Sequence, residues 1–163
     1  MYLVKKINES LIESVGDGAG LRLILFTCGC PHRCKNCQNK ETWNIKNGVN
    51  YDVKDIYEYL NEEINNGYDN RITFSGGAPL IQDTELNNLI KLIKENHPNL
   101  NILVYTGYPY EDIADKPVPV IKNIDVLVDG KFTEEMQHQK QQYRGSYNQR
   151  VLYLQNSMIV KEG

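Results

Sequence analysis

The sequence predicts an α/β fold built on a mainly parallel sheet. Four apolar runs are typical of buried strands, and two segments between them have helical periodicity: strands at 21–27, 71–77, 101–107 and 123–130, and helices at 51–67 and 84–98. Strands that alternate with helix-length segments indicate repeated βα units, in which the strands pair in parallel. A further β-rich run at 149–154 is a candidate for a last strand.

Each predicted helix has an apolar stripe and recognisable ends. In the first helix Asp52 can cap the amino end and Gly67 follows the last turn, and the apolar face comprises Val53, Ile56, Tyr57, Leu60 and Ile64. In the second helix Pro98 is the stop signal, and the apolar stripe comprises Leu86, Leu89, Ile90 and Ile93. Such stripes predict helices that pack against the sheet.

Length and charge narrow the class of protein. The 163 residues fit a single domain over 1–163, and 18 basic against 21 acidic residues give a net charge of -3, which provides no positive field for nucleic acid. Lys5 and Lys6 interrupt the opening apolar run, and no later run is long enough to cross a bilayer, so we expect no signal peptide and no membrane contact. We therefore expect a cytoplasmic protein, whose thiols stay reduced.

Unusual loops follow the ends of the predicted strands: the cysteine loop after 21–27, SGGAP at 75–79, TGY at 106–108 and DGK at 129–131. The carboxyl ends of parallel strands meet at one edge of a sheet, and ligands of such sheets bind beyond that edge. We expect these loops to form one site.

All four cysteines lie in FTCGCPHRCKNCQN, residues 26–39. A structural zinc site usually takes two separated cysteine pairs, and Cys28 and Cys30 are too close together for that pattern. Thiolates at Cys30, Cys34 and Cys37 can instead hold three corners of a cubane iron–sulfur cluster and leave one iron open for a substrate. Cys28 as a fourth ligand would close that iron, so we interpret it as a buried apolar thiol.

The spacing C-x-x-x-C-x-x-C after the first strand, with a later Gly-Gly-x-Pro turn, resembles the radical S-adenosylmethionine enzymes. Over residues 17–150 the chain is similar to the activating proteins of anaerobic ribonucleoside-triphosphate reductases, in the segments DGAGLRLILFTCGCPHRCKNCQNKETWN, FSGGAPL, VYTGY, IDVLVDGKF and YRGSYNQR. The resemblance implies a partial (βα) barrel of the radical S-adenosylmethionine type. It also implies a 4Fe–4S cluster held by Cys30, Cys34 and Cys37.

The same resemblance implies an enzyme that reductively cleaves S-adenosylmethionine to a 5′-deoxyadenosyl radical. The radical would remove a hydrogen atom from a glycine of an anaerobic ribonucleoside-triphosphate reductase, its protein substrate, and leave a glycyl radical there. An electron donor such as a flavodoxin would supply the electron. This chemistry needs no catalytic acid or base, and the sequence has no obvious catalytic histidine or carboxylate pair.

The resemblance assigns cofactor contacts to two loops. Backbone groups near Gly76 and Gly77 would bind the amino group of the methionine moiety, because glycine lets the main chain approach a ligand closely. Asn36, Cys37 and Gln38 lie where the family's backbone meets the adenine.

Three other positions carry narrower expectations. Ala78 stands where the motif usually has an acidic residue, and a missing charge-assisted hydrogen bond of about 1.5–3 kcal/mol predicts about ten- to a hundredfold weaker cofactor binding. His32 has a spacing that offers it no iron, which favours hydrogen bonding around the cluster or packing of the loop. Asp129 and Lys131 resemble a cofactor-contacting step of related activases, although a surface turn would also use DGK.

Three alternatives stay open. The chain could activate another glycyl-radical enzyme such as pyruvate formate-lyase, because only the resemblance of YRGSYNQR favours the reductase. It could be a non-catalytic electron carrier whose cluster uses all four cysteines. It could also be a zinc-stabilised binding module.

Overall fold

A computed structural model describes residues 1–67, 71–114, 119–137 and 143–163. Among these residues nine strands and four α-helices occur, in the order β1 Tyr2–Leu3, α1 Ile7–Ser10, β2 Leu11–Ser14, β3 Arg22–Thr27, β4 Val49–Asn50, α2 Val53–Asn65, β5 Arg71–Gly76, α3 Asp83–Asn96, β6 Asn101–Tyr105, α4 Tyr110–Ala114, β7 Val126–Asp129, β8 Arg150–Gln155 and β9 Met158–Glu162. Short 3₁₀ turns connect them at Lys40–Thr42, Ile45–Asn47, Pro79–Gln82, Pro119–Asn123 and Glu134–Met136.

The centre of the sheet consists of four parallel strands in the order β3, β5, β6 and β7. Antiparallel strands flank them: β1 and β2 pair with β3, β4 pairs with β1, and β8 pairs with β7 and with β9. Over the described residues this makes three parallel and five antiparallel pairings. The prediction of a mainly parallel sheet is therefore correct at the centre and wrong for the whole.

At one end of the sheet the antiparallel pairing arises from a connection too short to hold a crossover helix. β8 and β9 are joined by Asn156 and Ser157, both with positive φ, in a two-residue hairpin turn. The described strands run from β4 at one end to β9 at the other without closing. The fold is thus an open, mixed α/β sheet.

The two long helices form where the apolar periodicity predicts them. The carboxylate of Asp52 accepts a hydrogen bond from the Lys54 amide at 2.9 Å and so caps α2, as expected. The predicted inward residues of α3 are fully buried, and those of α2 are buried or packed against the core. Each fully buried leucine or isoleucine contributes about 1.5–3 kcal/mol to folding.

The larger hydrophobic core combines these helix faces with alternate residues of the central strands, among them Leu25, Phe74 and Val104. A smaller cluster that includes Leu103 and Val128 lies on the opposite face, as the alternation of side chains along strands requires. The helices thereby hold the four parallel strands in register, with their carboxyl ends side by side. Within the described ranges no helix has both the length and the apolar character that a membrane crossing requires.

Candidate iron–sulfur and cofactor site

The carboxyl ends of the four parallel strands meet at one edge of the sheet, as predicted. β3 ends at Thr27, β5 at Gly76, β6 at Tyr105 and β7 at Asp129. The loops that follow them line one cavity, here called the thiol cavity, whose walls include Cys30, His32, Cys34, Cys37, Thr42, Trp43, Ser75, Gly76, Gly77, Thr106, Gly107, Gly130, Lys131, Phe132 and Gln149. The structure therefore brings the predicted cysteines and the glycine turn together.

Cys30, Cys34 and Cys37 are each half-buried and line this cavity. Arg33 and Asn36 have left-handed backbone angles, with φ of 48° and 52°, which turn the chain between successive thiols. The Cys30 amide donates to the carbonyl of Trp43 at 3.0 Å, so the loop is anchored to the segment that follows it.

Two features of this loop suit a sulfur-rich anionic group. The Asn39 amide already donates to Sγ of Cys37 at 3.4 Å, and hydrogen bonds to sulfur are typical of iron–sulfur sites. Burial raises the pKa of the Cys34 thiol, and the neighbouring Cys37 and Cys30 raise it further, so binding to a metal is what would favour its thiolate.

Within the described part of the chain, no three His, Cys, Asp or Glu side chains are grouped so that they could hold a metal ion. A cubane cluster makes a different demand, because each of its thiolates binds a different iron and the sulfur atoms need not converge on one point. The three thiols around one cavity fit that demand.

Cys28 has a different environment, as expected for a small apolar side chain. It is fully buried, and its thiol lies 3.3 Å from the carbonyl oxygen of Asn44 and 3.7 Å from that of Thr42. Burial raises the pKa of this thiol. Cys28 does not contribute to the walls of the thiol cavity among the described residues.

The glycine turn after β5 is in direct backbone contact with the cysteine loop. The Gly77 amide donates to the carbonyl of Thr27 at 2.9 Å, and the Ala78 amide donates to that of Gly29 at 2.8 Å. A Cβ at Gly77 would lie 2.3 Å from the Gly29 oxygen, so a side chain cannot be accommodated there. Gly76 has φ of +94°, which also favours glycine.

The three residues assigned to adenine contact separate in the structure. Cys37 and Gln38 line a second cavity, adjacent to the first, with Asp17 and Tyr143 on its walls. Asn36 is exposed, and its side-chain amide donates to Glu134. The Asn36 side chain therefore points to the acidic turn at Glu134–Met136, and the backbone contact that the resemblance implies for this residue stays a prediction.

The two residues of the Asp129-x-Lys131 step also lie in different surroundings. Asp129 is buried, and its carboxylate accepts hydrogen bonds from the Tyr110 amide and the Arg150 guanidinium. Arg150 also binds Glu111 through two nitrogen atoms. Asp129 thus serves this network, whereas Lys131 lines the thiol cavity.

Gln149 is a wall residue that the spacing of motifs did not reveal. Its side-chain oxygen accepts from the Gly145 amide at 2.9 Å, and its side-chain nitrogen donates to the Gly130 carbonyl at 3.0 Å. It therefore fastens the YRGSYNQR segment to the end of β7. Phe132, Thr42 and Trp43 were missed as wall residues too, although the segments DGKF and ETWN contain them.

His32 and Trp43 complete the wall beside the cysteines. The His32 ring packs edge-on against Tyr108, with ring centroids 4.4 Å apart, and burial together with Lys131 lowers its pKa, which favours the neutral ring. Nε2 of His32 and Nε1 of Trp43 are buried, and neither has a hydrogen-bond partner among the residues that the structure describes.

The comparisons with known proteins agree with this geometry. A family model described as a 4Fe-4S single cluster domain matches residues 16–152. The anaerobic ribonucleoside-triphosphate reductase-activating protein of Enterobacteria phage T4 is 36% identical over 137 residues, which cover 83% of this chain and 85% of the relative. This chain belongs to that family of activating proteins.

Further activating proteins match over a similar extent. That of Escherichia coli K12 is 34% identical over 142 residues, which cover 85% of this chain and 92% of the relative. That of Haemophilus influenzae is 36% identical over 140 residues, which cover 82% and 88% respectively. The resemblance inferred from the cysteine loop, the glycine turn and the YRGSYNQR segment is thereby confirmed, and the matched 4Fe-4S domain contains all of them.

Proposed function

We propose that this activating protein is an enzyme that generates a glycyl radical on an anaerobic ribonucleoside-triphosphate reductase. The observation that carries the proposal is the thiol cavity, where Cys30, Cys34 and Cys37 share walls with Gly76 and Gly77. The names of its relatives support the choice of protein substrate.

Cys30, Cys34 and Cys37 would hold a 4Fe–4S cluster. Three protein thiolates leave one iron without a protein ligand, which is the position that a substrate needs. The buried position of Cys28 outside the cavity supports a three-cysteine site over a four-cysteine one. When bound, the cluster supplies the electron that breaks a carbon–sulfur bond of S-adenosylmethionine, which gives methionine and a 5′-deoxyadenosyl radical.

The chain's own part is to bind and orient S-adenosylmethionine. Backbone groups of Gly76 and Gly77 would bind the amino group of the methionine moiety beside the three thiols. The adjacent cavity, with Cys37 and Gln38 on its walls, would take the adenosine. The backbone of Asn36, Cys37 and Gln38 would meet the adenine.

The edge of the sheet at the carboxyl ends of the central strands suits a macromolecular substrate. The central parallel strands and their helices would correspond to a partial barrel of the radical S-adenosylmethionine type, and both cavities lie at the carboxyl end of those strands. A loop of the reductase that carries the reacting glycine could reach the cavities from the carboxyl ends of these strands. A donor such as a flavodoxin would deliver the electron.

The test is an anaerobic activation assay. The protein is loaded with iron and sulfide, reduced, and mixed with S-adenosylmethionine and the reductase encoded by the same genome, and the mixture is examined by electron paramagnetic resonance. We expect a glycine-centred radical that requires both the protein and S-adenosylmethionine. A parallel sample with pyruvate formate-lyase tests the choice of substrate, and a radical formed only there would overturn it.

The same samples distinguish the other classes of protein. S-adenosylmethionine is expected to change the spectrum of the reduced cluster before any reductase is added, since one iron is open. A 4Fe–4S spectrum that does not respond to S-adenosylmethionine would indicate an electron carrier with a closed cluster. Zinc in place of iron in anaerobically purified protein would indicate a zinc-stabilised binding module.

A further inference from the structure

Two buried ring nitrogens without partners lie at the same cavity. Within the described ranges Nε2 of His32 and Nε1 of Trp43 have no hydrogen-bond partner, and both residues line the cavity that the three cysteines surround. Buried polar atoms are almost always hydrogen-bonded, so two such atoms at one place call for a ligand that supplies an acceptor. An indole N–H can only donate, so at Trp43 the missing partner is an acceptor.

Several contacts fix the position of the His32 ring. It packs edge-on against Tyr108, at an interplanar angle of 69°. Gly107 leaves room for it, because a Cβ at that position would lie 2.3 Å from Cδ2 of the imidazole. The ring is therefore packed closely against both Gly107 and Tyr108.

The backbone of Trp43 is tied directly to the cysteine loop. Its carbonyl accepts from the Cys30 amide at 3.0 Å, and its own amide donates to the carbonyl of Lys40 at 3.2 Å. The next residue upstream, Thr42, accepts from the Gly29 amide at 2.6 Å through its carbonyl. These bonds hold the indole at the wall of the thiol cavity whether or not its ring nitrogen is paired.

We propose that Nε2–H of His32 and Nε1–H of Trp43 donate hydrogen bonds to sulfur atoms of the cluster and thereby raise its reduction potential. This inference rests on the proposed function, since it needs the cluster on Cys30, Cys34 and Cys37. Reduction adds negative charge to the cluster, and hydrogen bonds to its sulfur atoms stabilise the reduced form more than the oxidised form. The two residues then make the cluster easier to reduce.

The first test is a redox titration of the iron-loaded protein, followed by electron paramagnetic resonance. His32→Phe and Trp43→Phe keep an aromatic ring and remove the donor. At the potential that half-reduces the parent cluster, we expect each variant to lower the ratio of reduced to oxidised cluster by up to about tenfold, which is about 59 mV for a one-electron couple.

Two matched variants separate the hydrogen bond from a structural role. His32→Gln places an amide N–H near the former Nε2, and we expect it to retain most of the parent potential. His97→Phe removes a histidine whose Nε2 is already paired with Asn61 at 2.7 Å at the end of α3, and we expect no change in potential. Unchanged potentials in His32→Phe and Trp43→Phe at full iron and sulfide content would overturn the inference.

A second measurement needs no change at His32. The parent protein is produced with ¹⁵N-histidine, and the reduced cluster is examined by pulsed electron paramagnetic resonance. We expect a ¹⁵N coupling that persists in His97→Phe and disappears in His32→Gln. Absence of this coupling in a parent protein that holds the cluster and cleaves S-adenosylmethionine would overturn the role of His32 alone, whereas a parent protein that assembles no cluster would overturn the proposed function as well.

Discussion

The helix-covered face of the sheet and the cysteine loop differ in what stabilises them. On the helix-covered face, Leu86, Leu89 and Ile90 of α3 are fully buried against the strands, and apolar contact alone accounts for their positions. The cysteine loop has half-buried thiols, two non-glycine residues with left-handed backbone angles and two unpaired ring nitrogens at its cavity. Contacts within the polypeptide stabilise the helix-covered face, whereas the thiols and ring nitrogens of the cysteine loop suit the binding of an additional group.

The thiols show the same contrast at the level of single side chains. Cys28 and Cys30 are two residues apart, yet the thiol of Cys28 is enclosed and faces backbone carbonyls, whereas Cys30 lines the thiol cavity. Spacing along the chain therefore does not by itself show which thiols belong to the site. The position of each thiol relative to the strand ends and the cavity shows it.

The largest expected effect comes from removing a cavity thiol. Cys34→Ser is expected to lower the iron and sulfide content by at least about tenfold, since even partners outside the ligand set change metal affinity by that factor. The matched variant is Cys28→Ala, which is expected to keep the cluster and to lose about 1–2 kcal/mol of folding stability. Iron analysis and denaturant unfolding check both, and equal loss of cluster in the two variants would contradict the three-cysteine site.

The next effect concerns the helix-covered face. Phe74 of β5 is fully buried, and Phe74→Ala is expected to lower the free energy of unfolding by about 3–5 kcal/mol, because the structure cannot close the space left behind. Phe132→Ala is the matched control at the thiol cavity, where the ring is only half-buried and the expected loss is about 1 kcal/mol. Urea unfolding of the iron-free protein measures both. Similar losses would show that the cavity wall is as densely packed as the core.

A third, smaller effect is expected at the glycine turn. Ala78 is 1% exposed and follows the two glycines of the thiol cavity. Ala78→Asp supplies the carboxylate that the motif usually has there, and we expect S-adenosylmethionine to bind the iron-loaded protein about ten- to a hundredfold more tightly. Equilibrium dialysis checks this, with Ala114→Asp on the exposed side of α4 as the control for added charge. Equal affinities in parent and Ala78→Asp would refute the role assigned to this position.

The smallest effect is expected at the ion pair that braces β8. Arg150 binds Glu111 through bonds of 2.9 and 2.8 Å, and these hydrogen bonds lower the pKa of Glu111 to about 2 from 4.5. A lowered carboxyl pKa stabilises the fold above pH 4.5, and the benefit is lost as the pH falls toward 2. Because the Glu111 side chain is 61% exposed, solvent screening limits the gain to less than about 1 kcal/mol.

Glu111→Gln tests this pH dependence. The parent is expected to be slightly more stable than the variant at pH 6, and the difference is expected to vanish near pH 2. Unfolding by urea at both pH values measures it. Glu58→Gln, which removes an exposed pair with Lys54 at 3.9 Å, is expected to change neither value measurably. A difference between parent and Glu111→Gln that grows toward low pH would contradict the assignment.

Local periodicity predicted the parts of the fold that apolar contact holds together. α2 and α3 and the four central strands lie within about three residues of their predicted bounds, because their side chains repeat with the spacing of a helix face or form short buried runs. β1 and β4 have two residues each, and all five residues of β9 are exposed, so no such pattern marks them. β1 and β4 are strands because of long-range pairing with β3 and with each other, and β9 is a strand because the hairpin turn folds it back onto β8.

The site, like the fold, was predicted only in part from the sequence. The order of strands and loops placed the three cysteines and the two glycines at one edge, and the structure brings them to one cavity. Gln149 reaches that cavity from the position just before β8, and although it belongs to the segment YRGSYNQR, the expectation of parallel strands did not predict that this segment lies beside the end of β7. The left-handed turn at Asn36 directs its side chain to Glu134, a contact that the sequence did not predict, and the backbone contact expected for this residue stays a prediction.

The close approach of Gly77 to Gly29 makes the two loops one mechanical unit. Neither can shift by the width of a methyl group without displacing the other, because the Ala78 amide is bonded to the same carbonyl that a Cβ at Gly77 would strike. Removal of iron is therefore expected to expose both loops to proteases together. Reloading the metal is expected to protect both loops in a single cooperative step. The pocket for the organic cofactor would then be fully formed only once the inorganic cofactor is bound.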